Sequence, residues 1–132
     1  MKKILITGVN GLIGSTLAHT LLAQGHSVSG IGRNSQPVIP LSRYEKGDIL
    51  DTDFLENCIL KTQPDTIFHL AGCSSVRQSL EKPREAFAAN VSGTINVLDA
   101  VRKSGLHSRV VLASSAEVYG HSEKVLSETS QL

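Results

Sequence analysis

Three glycines, Gly8, Gly11 and Gly14, follow a short apolar run near the start of the chain. A helical pattern comes directly after them, with apolar residues at every fourth position from Ile13 until Gly25 ends it. Glycine adopts the backbone angles of a tight turn and lets the main chain approach an anion closely, while the next helix offers unpaired N–H groups and a partial positive charge. Strand, glycine turn and helix in this order predict a Rossmann-type site for a nucleotide pyrophosphate, and a tight turn without a ligand is the alternative.

The composition is that of an ordinary globular domain. The chain has 132 residues, of which 40% are hydrophobic and 19% charged, and this predicts one domain over residues 1–132. A net charge of +1 without a basic cluster argues against nucleic acid or an anionic membrane as a partner. The apolar run at residues 4–6 is too short for a signal peptide, and no later run could cross a bilayer. The histidines and the two cysteines, Cys58 and Cys73, lack metal-site spacing, so we expect no metal and free thiols in a reducing cytoplasm.

Strand and helix patterns alternate along the chain. We expect strands at residues 4–6, 27–32, 44–48, 66–70 and 110–113, with an irregular stretch after the second strand. A first helix follows the glycine loop, and a second begins at the capping residue Asp51 and ends before Pro64. A third helix is predicted from about residue 83 to residue 104, with an apolar stripe at Phe87, Val91, Ile95, Leu98 and Val101. This alternation predicts an α/β fold, a Rossmann-type doubly wound parallel sheet with strand order 3-2-1-4-5 and no sixth strand.

The loops that follow the carboxyl ends of the strands meet at one edge of such a sheet. They contain residues 8–14, Arg33, Asp48, residues 71–75 and residues 114–117. Ligands of open α/β sheets lie across this edge, so one extended ligand could touch all five loops.

Five motifs on these elements resemble the extended short-chain dehydrogenase/reductase family, in its sugar-nucleotide epimerase, dehydratase and reductase branch. They are TGVNGLIG at residues 7–14, GDI at 47–49, HLAG at 69–72, NVSGT at 90–94 and SSAEVYG at 114–120. Each motif alone is a weak or moderate signal, but the five occur in the right order, and the resemblance covers essentially the whole chain. Residues 71–83 look most like the GDP-mannose 4,6-dehydratases and GDP-4-keto-6-deoxymannose reductases.

By this resemblance, the glycine loop binds the cofactor pyrophosphate, Asp48 and Ile49 border the adenine, and Asn90 lies near the nicotinamide. A helix-packing role is the alternative for Asn90, and we interpret His69 as a strand-end histidine with a satisfied hydrogen bond. Ser74 and Ser75 would face the nucleotide-sugar substrate. The full set implied to bind the cofactor is Gly8, Asn10, Gly11, Leu12, Ile13, Gly14, Arg33, Asp48, Ile49, Leu70, Ala71, Gly72 and Asn90.

Enzymes of this branch move a hydride from a sugar carbon to the nicotinamide and reverse or exploit that oxidation. A serine or threonine hydroxyl binds the sugar oxygen and a tyrosine takes its proton, while a lysine four residues later lowers the tyrosine pKa from its usual value of about 10. Ser115 matches the serine position, with a turn serine bonded to backbone as the alternative. Glu117 matches the position where dehydratases place a carboxylate that acts on the neighbouring sugar carbon, and a solvated carboxylate is the alternative.

The end of the second strand departs from the NAD pattern. NAD-specific sites place an Asp or Glu there to bind the adenosine ribose, whereas this chain has Gly32 and Arg33 and no acidic residue before Glu45. Arg33 could pair with a 2′-phosphate in a forked, charge-assisted geometry. We therefore expect NADP to be preferred over NAD, with a surface arginine as the alternative.

The tyrosine and lysine pair of the family is missing from this sequence. Position 48, four residues after Tyr44, holds Asp48, and position 123, four residues after Tyr119, holds Glu123. We expect an N-terminal part of a longer enzyme, without its substrate domain and inactive alone, or a non-catalytic NADP-binding or sensor module. The expected partners are a nucleotide-sugar and a second copy of the chain, in a homodimer through the helix at residues 83–104.

Overall fold

The five strands form one parallel sheet in a computed structural model that describes residues 1–120 and 125–130. The strands are β1 (Lys3–Thr7), β2 (Ser27–Gly32), β3 (Arg43–Lys46), β4 (Thr66–His69) and β5 (Arg109–Leu112). Their order across the sheet is β3-β2-β1-β4-β5, and every neighbouring pair is parallel. The predicted fold class and strand order are confirmed. The reversal of strand order between β1 and β4 places a crevice at their carboxyl ends.

Helices cover both faces of the sheet. They are α1 (Leu12–Ala23), α2 (Thr52–Thr62), α3 (Val76–Glu81), α4 (Pro83–Phe87) and α5 (Gly93–Ser104). A π-helical turn, Ala88–Ser92, joins α4 to α5, and a 3₁₀ turn, Ala116–Tyr119, follows β5. Within the described residues, no helix is long and apolar enough to cross a membrane.

Two apolar clusters lie on opposite faces of the sheet because side chains alternate along each strand. Leu5 and Ile67 belong to the cluster under α2 and α5, together with Leu55 and Val97. Ile4, Ile6, Val28 and Ala18 belong to the cluster that includes α1. Both faces of the sheet are covered at its centre, where β1 carries a continuous apolar run over residues 4–6.

The second helix begins where the sequence predicts. The Asp51 carboxylate accepts a hydrogen bond of 2.9 Å from the Phe54 amide, which satisfies one of the free donors at the start of α2. The apolar face of α2, with Leu55, Cys58 and Ile59, is buried against the sheet. Burial raises the pKa of the Cys58 thiol to about 12, with the Glu45 carboxylate adding to the effect.

The third helix differs from the prediction in two respects. It is interrupted by the π-helical turn, and a separate helix, α3, precedes it where no helix was predicted. The predicted stripe is also wrong as a buried face, because Phe87 is 63% exposed and Ile95 is 58% exposed. The extra residue of a π turn rotates α5 relative to α4 and breaks the simple periodicity. The packed face is made of small residues and one valine: Ala86, Gly93, Val97 and Ala100.

The third strand and the stretch before it also bear on the predictions. The third strand ends at Lys46, two residues before the predicted Asp48. The stretch between β2 and β3 forms no helix, as expected, and is fixed by side chains instead. The Tyr44 hydroxyl donates to the Asn34 carbonyl at 2.8 Å, and the Asn10 amide group pairs with Tyr44 and with Val38. Glu123, four residues after Tyr119, lies outside the described residues.

Candidate functional site

The glycine loop makes a tight turn against the end of β4. Gly8 has a φ of +71°, a conformation that side chains disfavour, and a Cβ there would lie 2.7 Å from the Ala71 nitrogen. A Cβ on Gly14 would overlap the Gly8 carbonyl oxygen. Gly8 and Gly14 thus allow the close approach of strand, turn and helix that a βα phosphate site requires.

The N-terminus of α1 has free donors beside these glycines. Among the described residues, the Leu12, Ile13 and Gly14 amides find no acceptor, because Gly11 N–H takes the Gly8 carbonyl and Ser15 is the first amide to bond inside the helix. Gly11 is exposed at the N-cap and supplies no side-chain acceptor. Leu12 and Ile13 are 85% and 68% exposed. The loop therefore presents three N–H groups and two uncovered apolar side chains at the crevice, an arrangement suited to a pyrophosphate flanked by apolar groups.

His69 lies buried at the centre of the crevice floor and bonds on both sides. Its Nδ1 is 2.7 Å from the Thr7 hydroxyl and its Nε2 is 3.2 Å from the Thr94 hydroxyl. The Thr7 hydroxyl also accepts from the Ala71 amide at 3.2 Å. The expectation of a strand-end histidine with satisfied hydrogen bonds is confirmed, and burial lowers the pKa of this imidazole below its usual 6.5.

Asn90 holds the loop after β4 from the other side. In the π-helical turn, its side chain accepts from the Cys73 amide at 2.7 Å and donates to the Cys73 carbonyl at 3.0 Å. A Cβ on Gly72 would lie 2.8 Å from the Asn90 Oδ1, so a larger residue at position 72 would displace the Asn90 side chain. Leu70 and Ala71, also expected to line the groove, are half-buried against the two core clusters. The Asn90 amide is therefore a loop anchor in this structure.

Four of the residues expected to bind the cofactor lie in different environments after β2 and β3. Arg33 is exposed directly after β2 and forms no ion pair with any described residue. The Asp48 carboxylate accepts from the Leu50 amide at 3.0 Å. Ile49 is buried in the core, and its carbonyl accepts from the Asn96 side chain. Asn10 holds the stretch after β2 through its contacts with Tyr44 and Val38, so its amide already has protein partners.

The candidate catalytic and substrate residues lie at the far side of the crevice. The Ser115 hydroxyl accepts from the Glu117 amide at 3.2 Å and begins the 3₁₀ turn. Both residues are exposed after β5, and the Glu117 carboxylate has no ion-pair partner within the described part of the chain. Ser75 caps α3 by accepting from Gln78, while Ser74 is exposed. Parallel strands bring all these groups to the same edge as the glycine loop.

Three residues of this site were not singled out from the sequence: Thr7, Thr94 and Tyr44. Thr7 and Thr94 matter through hydroxyls aimed at His69, and Tyr44 through a hydroxyl that fixes the stretch after β2. Their partners are 62, 25 and 10 residues away in sequence. A usable signal exists only for Thr7 and Thr94, since both fall inside the quoted motifs.

The chain matches the NAD dependent epimerase/dehydratase family over residues 4–132 and belongs to that family. It is 37% identical to a GDP-mannose 4,6-dehydratase of Yersinia enterocolitica over 137 residues, which covers 91% of this chain and 37% of the relative. It is also 37% identical to a UDP-glucose 4-epimerase of Mycolicibacterium smegmatis, with 89% and 40% covered. The chain therefore spans about two fifths of the length of these curated relatives.

Solved structures agree with this assignment. A UDP-glucose-4-epimerase from Stenotrophomonas maltophila, with bound NAD and formylated UDP-arabinopyranose, superimposes with a TM-score of 0.87 at 27% identity, over 98% of this chain and 42% of that one. A UDP-glucose 4-epimerase from Brucella ovis in complex with NAD superimposes with a TM-score of 0.85 at 30% identity, over 95% of this chain and 39% of that one. Homologues of this chain are thus sugar-nucleotide epimerases and dehydratases, and NAD is bound in their structures.

Proposed function

We propose that this chain is the cofactor-binding part of an NAD(P)-dependent enzyme that acts on a nucleotide-sugar. The observation that carries the proposal is the crevice between β1 and β4, where three unpaired N–H groups lie beside a glycine turn packed directly on the β4 loop. A backbone cradle of this kind fits a pyrophosphate, because it offers donors without side chains in the way. The relatives with bound NAD support the same assignment.

Titration of the purified chain with NADPH and with NADH tests this proposal. Nucleotide fluorescence should rise to saturation with at least one of them, and Gly14→Val should abolish the change because a side chain there would fill the turn. Ala23→Val, which adds bulk at an exposed position near the other end of α1, is the control for folding and should bind normally. Failure of the native chain to bind either nucleotide would refute the proposal.

We assign the preference to NADP because of Arg33. Its guanidinium is exposed directly after β2, and the nearest acidic residue in the sheet, Glu45, is paired with Arg43 at 3.5 Å. Arg33→Ala should weaken NADPH binding by about tenfold, the effect of losing charge-assisted hydrogen bonds, and leave NADH binding unchanged. Arg109→Ala, on the strand at the opposite edge of the sheet, should change neither the NADPH nor the NADH dissociation constant. Tighter binding of NADH than NADPH by the native chain would contradict the assignment.

The reaction class is proposed as epimerisation, 4,6-dehydration or 4-keto reduction. A bound nicotinamide would supply the hydride acceptor. The Ser115 hydroxyl accepts one hydrogen bond from the Glu117 amide, and since it donates to no described residue, its proton would be available to a sugar oxygen. The Glu117 carboxylate would serve a dehydratase as a base, whereas an epimerase has no need of it. The dehydratase and the epimerase relatives are equally similar at 37% identity, so they do not favour one reaction over the other.

We also propose that the chain alone does not turn over substrate, because neither Tyr44 nor Tyr119 has a lysine four residues later. Incubation with GDP-mannose or UDP-glucose and either nucleotide should give no product, and any product would refute this. The second candidate is a non-catalytic NADP-binding module. A Tyr-x-x-x-Lys pair encoded within a few dozen codons after Leu132 would support the enzyme, and a stop codon there would support the module.

A homodimer through residues 83–104 is the remaining part of the proposal. The stripe that faces away from the core is apolar, and its members are 40–63% exposed: Phe87, Val91, Ile95 and Leu98. An exposed apolar face on a helix suits a two-fold interface between identical chains. Sedimentation equilibrium should give a dimer that Ile95→Glu converts to a monomer, while Lys61→Glu on α2 leaves it intact. A monomeric native chain would refute the dimer.

A further inference from the structure

His69 is the centre of a continuous hydrogen-bond chain that crosses the floor of the crevice. The chain connects the end of β1, the end of β4 and the π-helical turn through three side chains, Thr7, His69 and Thr94. Thr7 is 1% exposed and His69 is 4% exposed, so neither side chain can reach a ligand in the crevice, and Thr94 is half-buried. Their effect on a cofactor would therefore act through the backbone that they hold.

The Thr94 end of this network fixes the direction of its hydrogen bonds for a neutral imidazole. The Thr94 hydroxyl lies 2.7 Å from the Asn90 carbonyl, which only accepts, so Thr94 donates its single proton there. Thr94 must then accept from His69, which places the imidazole proton on Nε2. The unprotonated Nδ1 accepts from the Thr7 hydroxyl, and Thr7 accepts from the Ala71 amide. All donors and acceptors match, and no described buried side-chain polar atom is left without a partner.

The two ends of this hydrogen-bond network hold the same three-residue segment, residues 71–73, from opposite sides. Thr7 fixes the Ala71 amide, and Asn90, whose carbonyl terminates the chain, fixes Cys73 through both groups of its side-chain amide. The segment also packs on the glycine loop, because a Cβ on Gly8 would lie 2.8 Å from the Ala71 Cα. The position of residues 71–73 therefore depends on the imidazole that lies beneath them.

We infer that His69 is a positioning residue for the cofactor: as the Nε2–H tautomer it holds residues 71–73 in the shape that completes the nucleotide crevice. This inference rests on the proposed cofactor function. It adds that cofactor affinity is set partly by a buried side chain that does not touch the cofactor. A histidine with a purely packing role would have neither a required tautomer nor an effect on the exchange of the Ala71 and Cys73 amides.

The experiment combines NMR of the chain alone with cofactor titration. The ¹⁵N shifts of His69 should report the Nε2–H tautomer in the native protein. His69→Phe, which removes both hydrogen bonds, should accelerate amide exchange at Ala71 and Cys73 and raise the NADPH dissociation constant about tenfold. His69→Gln keeps a donor near Thr94 and should recover part of both effects.

Two further variants keep the test decisive. Thr94→Val removes one hydroxyl and leaves the imidazole in place, so it decides the question if His69→Phe fails to fold, and it should raise the dissociation constant about threefold. His26→Gln is the control, because His26 accepts from the Lys2 amide at the opposite end of the sheet and should change neither exchange nor affinity.

The inference is overturned if His69 carries its proton on Nδ1, or if folded His69→Phe and Thr94→Val bind NADPH like the native chain. A native chain that binds neither nucleotide refutes the proposed function and, with it, the cofactor role of His69. In that case, tautomer and amide exchange still decide separately whether His69 holds residues 71–73.

Discussion

The two sides of the crevice are built differently. The β1–β4 junction is defined by residues 7–8, 69–73 and 90. There the buried Thr7 and His69 and the exposed Asn90 pair with partners far away in sequence, and a Cβ on Gly8 or Gly72 would lie 2.8 Å or less from a neighbouring atom. At the β5 end, defined by residues 114–117, the side chains are exposed and the Ser115 hydroxyl bonds only two residues away. One side is fixed by tertiary contacts, and the other by a local turn.

This difference separates binding from chemistry. A preformed junction offers a cofactor a surface that needs little ordering, which preserves affinity that would otherwise be lost to conformational entropy. The proposed chemistry would need Ser115 and Glu117 held in one geometry against the substrate, and the described residues provide no packing that does so. We therefore expect substitutions at the junction to change stability and cofactor affinity together, and substitutions at the β5 end to change neither by much.

The largest effect should come from Gly8→Ala, which adds a methyl group at the tightest point of the junction. Gly8 has a φ of +71° and a Cβ position 2.7 Å from the Ala71 nitrogen, so we expect a loss of about 3 kcal/mol in the free energy of unfolding from strain and overpacking. Gly105→Ala is the matched control, since its φ is +68° but its Cβ meets nothing within 4 Å. It should lose about 1 kcal/mol. If urea denaturation gives the same loss of unfolding free energy for both variants, the junction is not tightly packed.

The next effect is a loss of stability on acidification that depends on His69. In the folded protein, burial lowers the pKa of His69 below its ordinary value of 6.5. The unfolded chain therefore takes up the proton first as the pH falls. The contribution of neutral His69 to the free energy of unfolding is complete above the pKa of the unfolded chain. It is lost as the pH falls from about 6.5 toward the pKa of the folded protein, with a slope of up to about 1.4 kcal/mol per pH unit.

Urea denaturation of the native chain and His69→Gln between pH 7.5 and 5 measures this effect. The slope should be present in the native chain and absent from the variant. The Asp99 carboxyl, whose pKa is lowered from 3.8 by hydrogen bonds from Arg102 and Lys103, acts only at more acidic pH and does not interfere. Parallel curves for the two proteins would contradict a neutral, buried His69.

The sequence predicts the strands and their order because each depends on local signals that agree. Apolar runs, the glycine loop and the Asp51 cap all point to one topology, and the boundaries differ from prediction by about two residues. The third helix was mispredicted because its π-helical turn shifts the helical phase after Phe87, and a fixed period cannot represent that shift. The packed face there is set by the close fit of Gly93 on Ile49, 44 positions apart.

For the candidate site, motifs locate the loops but not the contacts within them. Gly8, Gly14 and Gly72 are predicted site residues, and each has close neighbours at its Cβ position. The anchoring of Cys73 by Asn90, and the link from Thr7 through His69 to Thr94, join residues 17 to 62 positions apart. Such pairs become visible only once the sheet has brought the strands together.

A smaller effect is expected from Ser115→Ala at the β5 end. The hydroxyl accepts one exposed hydrogen bond at the start of a 3₁₀ turn, so its loss should cost about 0.5 kcal/mol in the free energy of unfolding. NADPH affinity should not change. Ser75→Ala, which removes the equivalent cap of α3, is the control and should cost a similar amount. A loss as large as that of Gly8→Ala would mean that the β5 end is tied into the junction.

The smallest effect is predicted for Glu117→Gln. Its carboxylate is exposed and forms no ion pair with a described residue, so the substitution should change the free energy of unfolding by less than about 0.5 kcal/mol. The backbone amide that bonds Ser115 is retained, and the NADPH dissociation constant should stay the same. Glu56→Gln is an instructive comparison, because Glu56 is paired with Lys103 at 2.6 Å and its loss should be measurable by the same urea titration. A Glu117 variant that unfolds more easily than the Glu56 variant would place the carboxylate in a structural contact and remove the reason to regard it as free for chemistry.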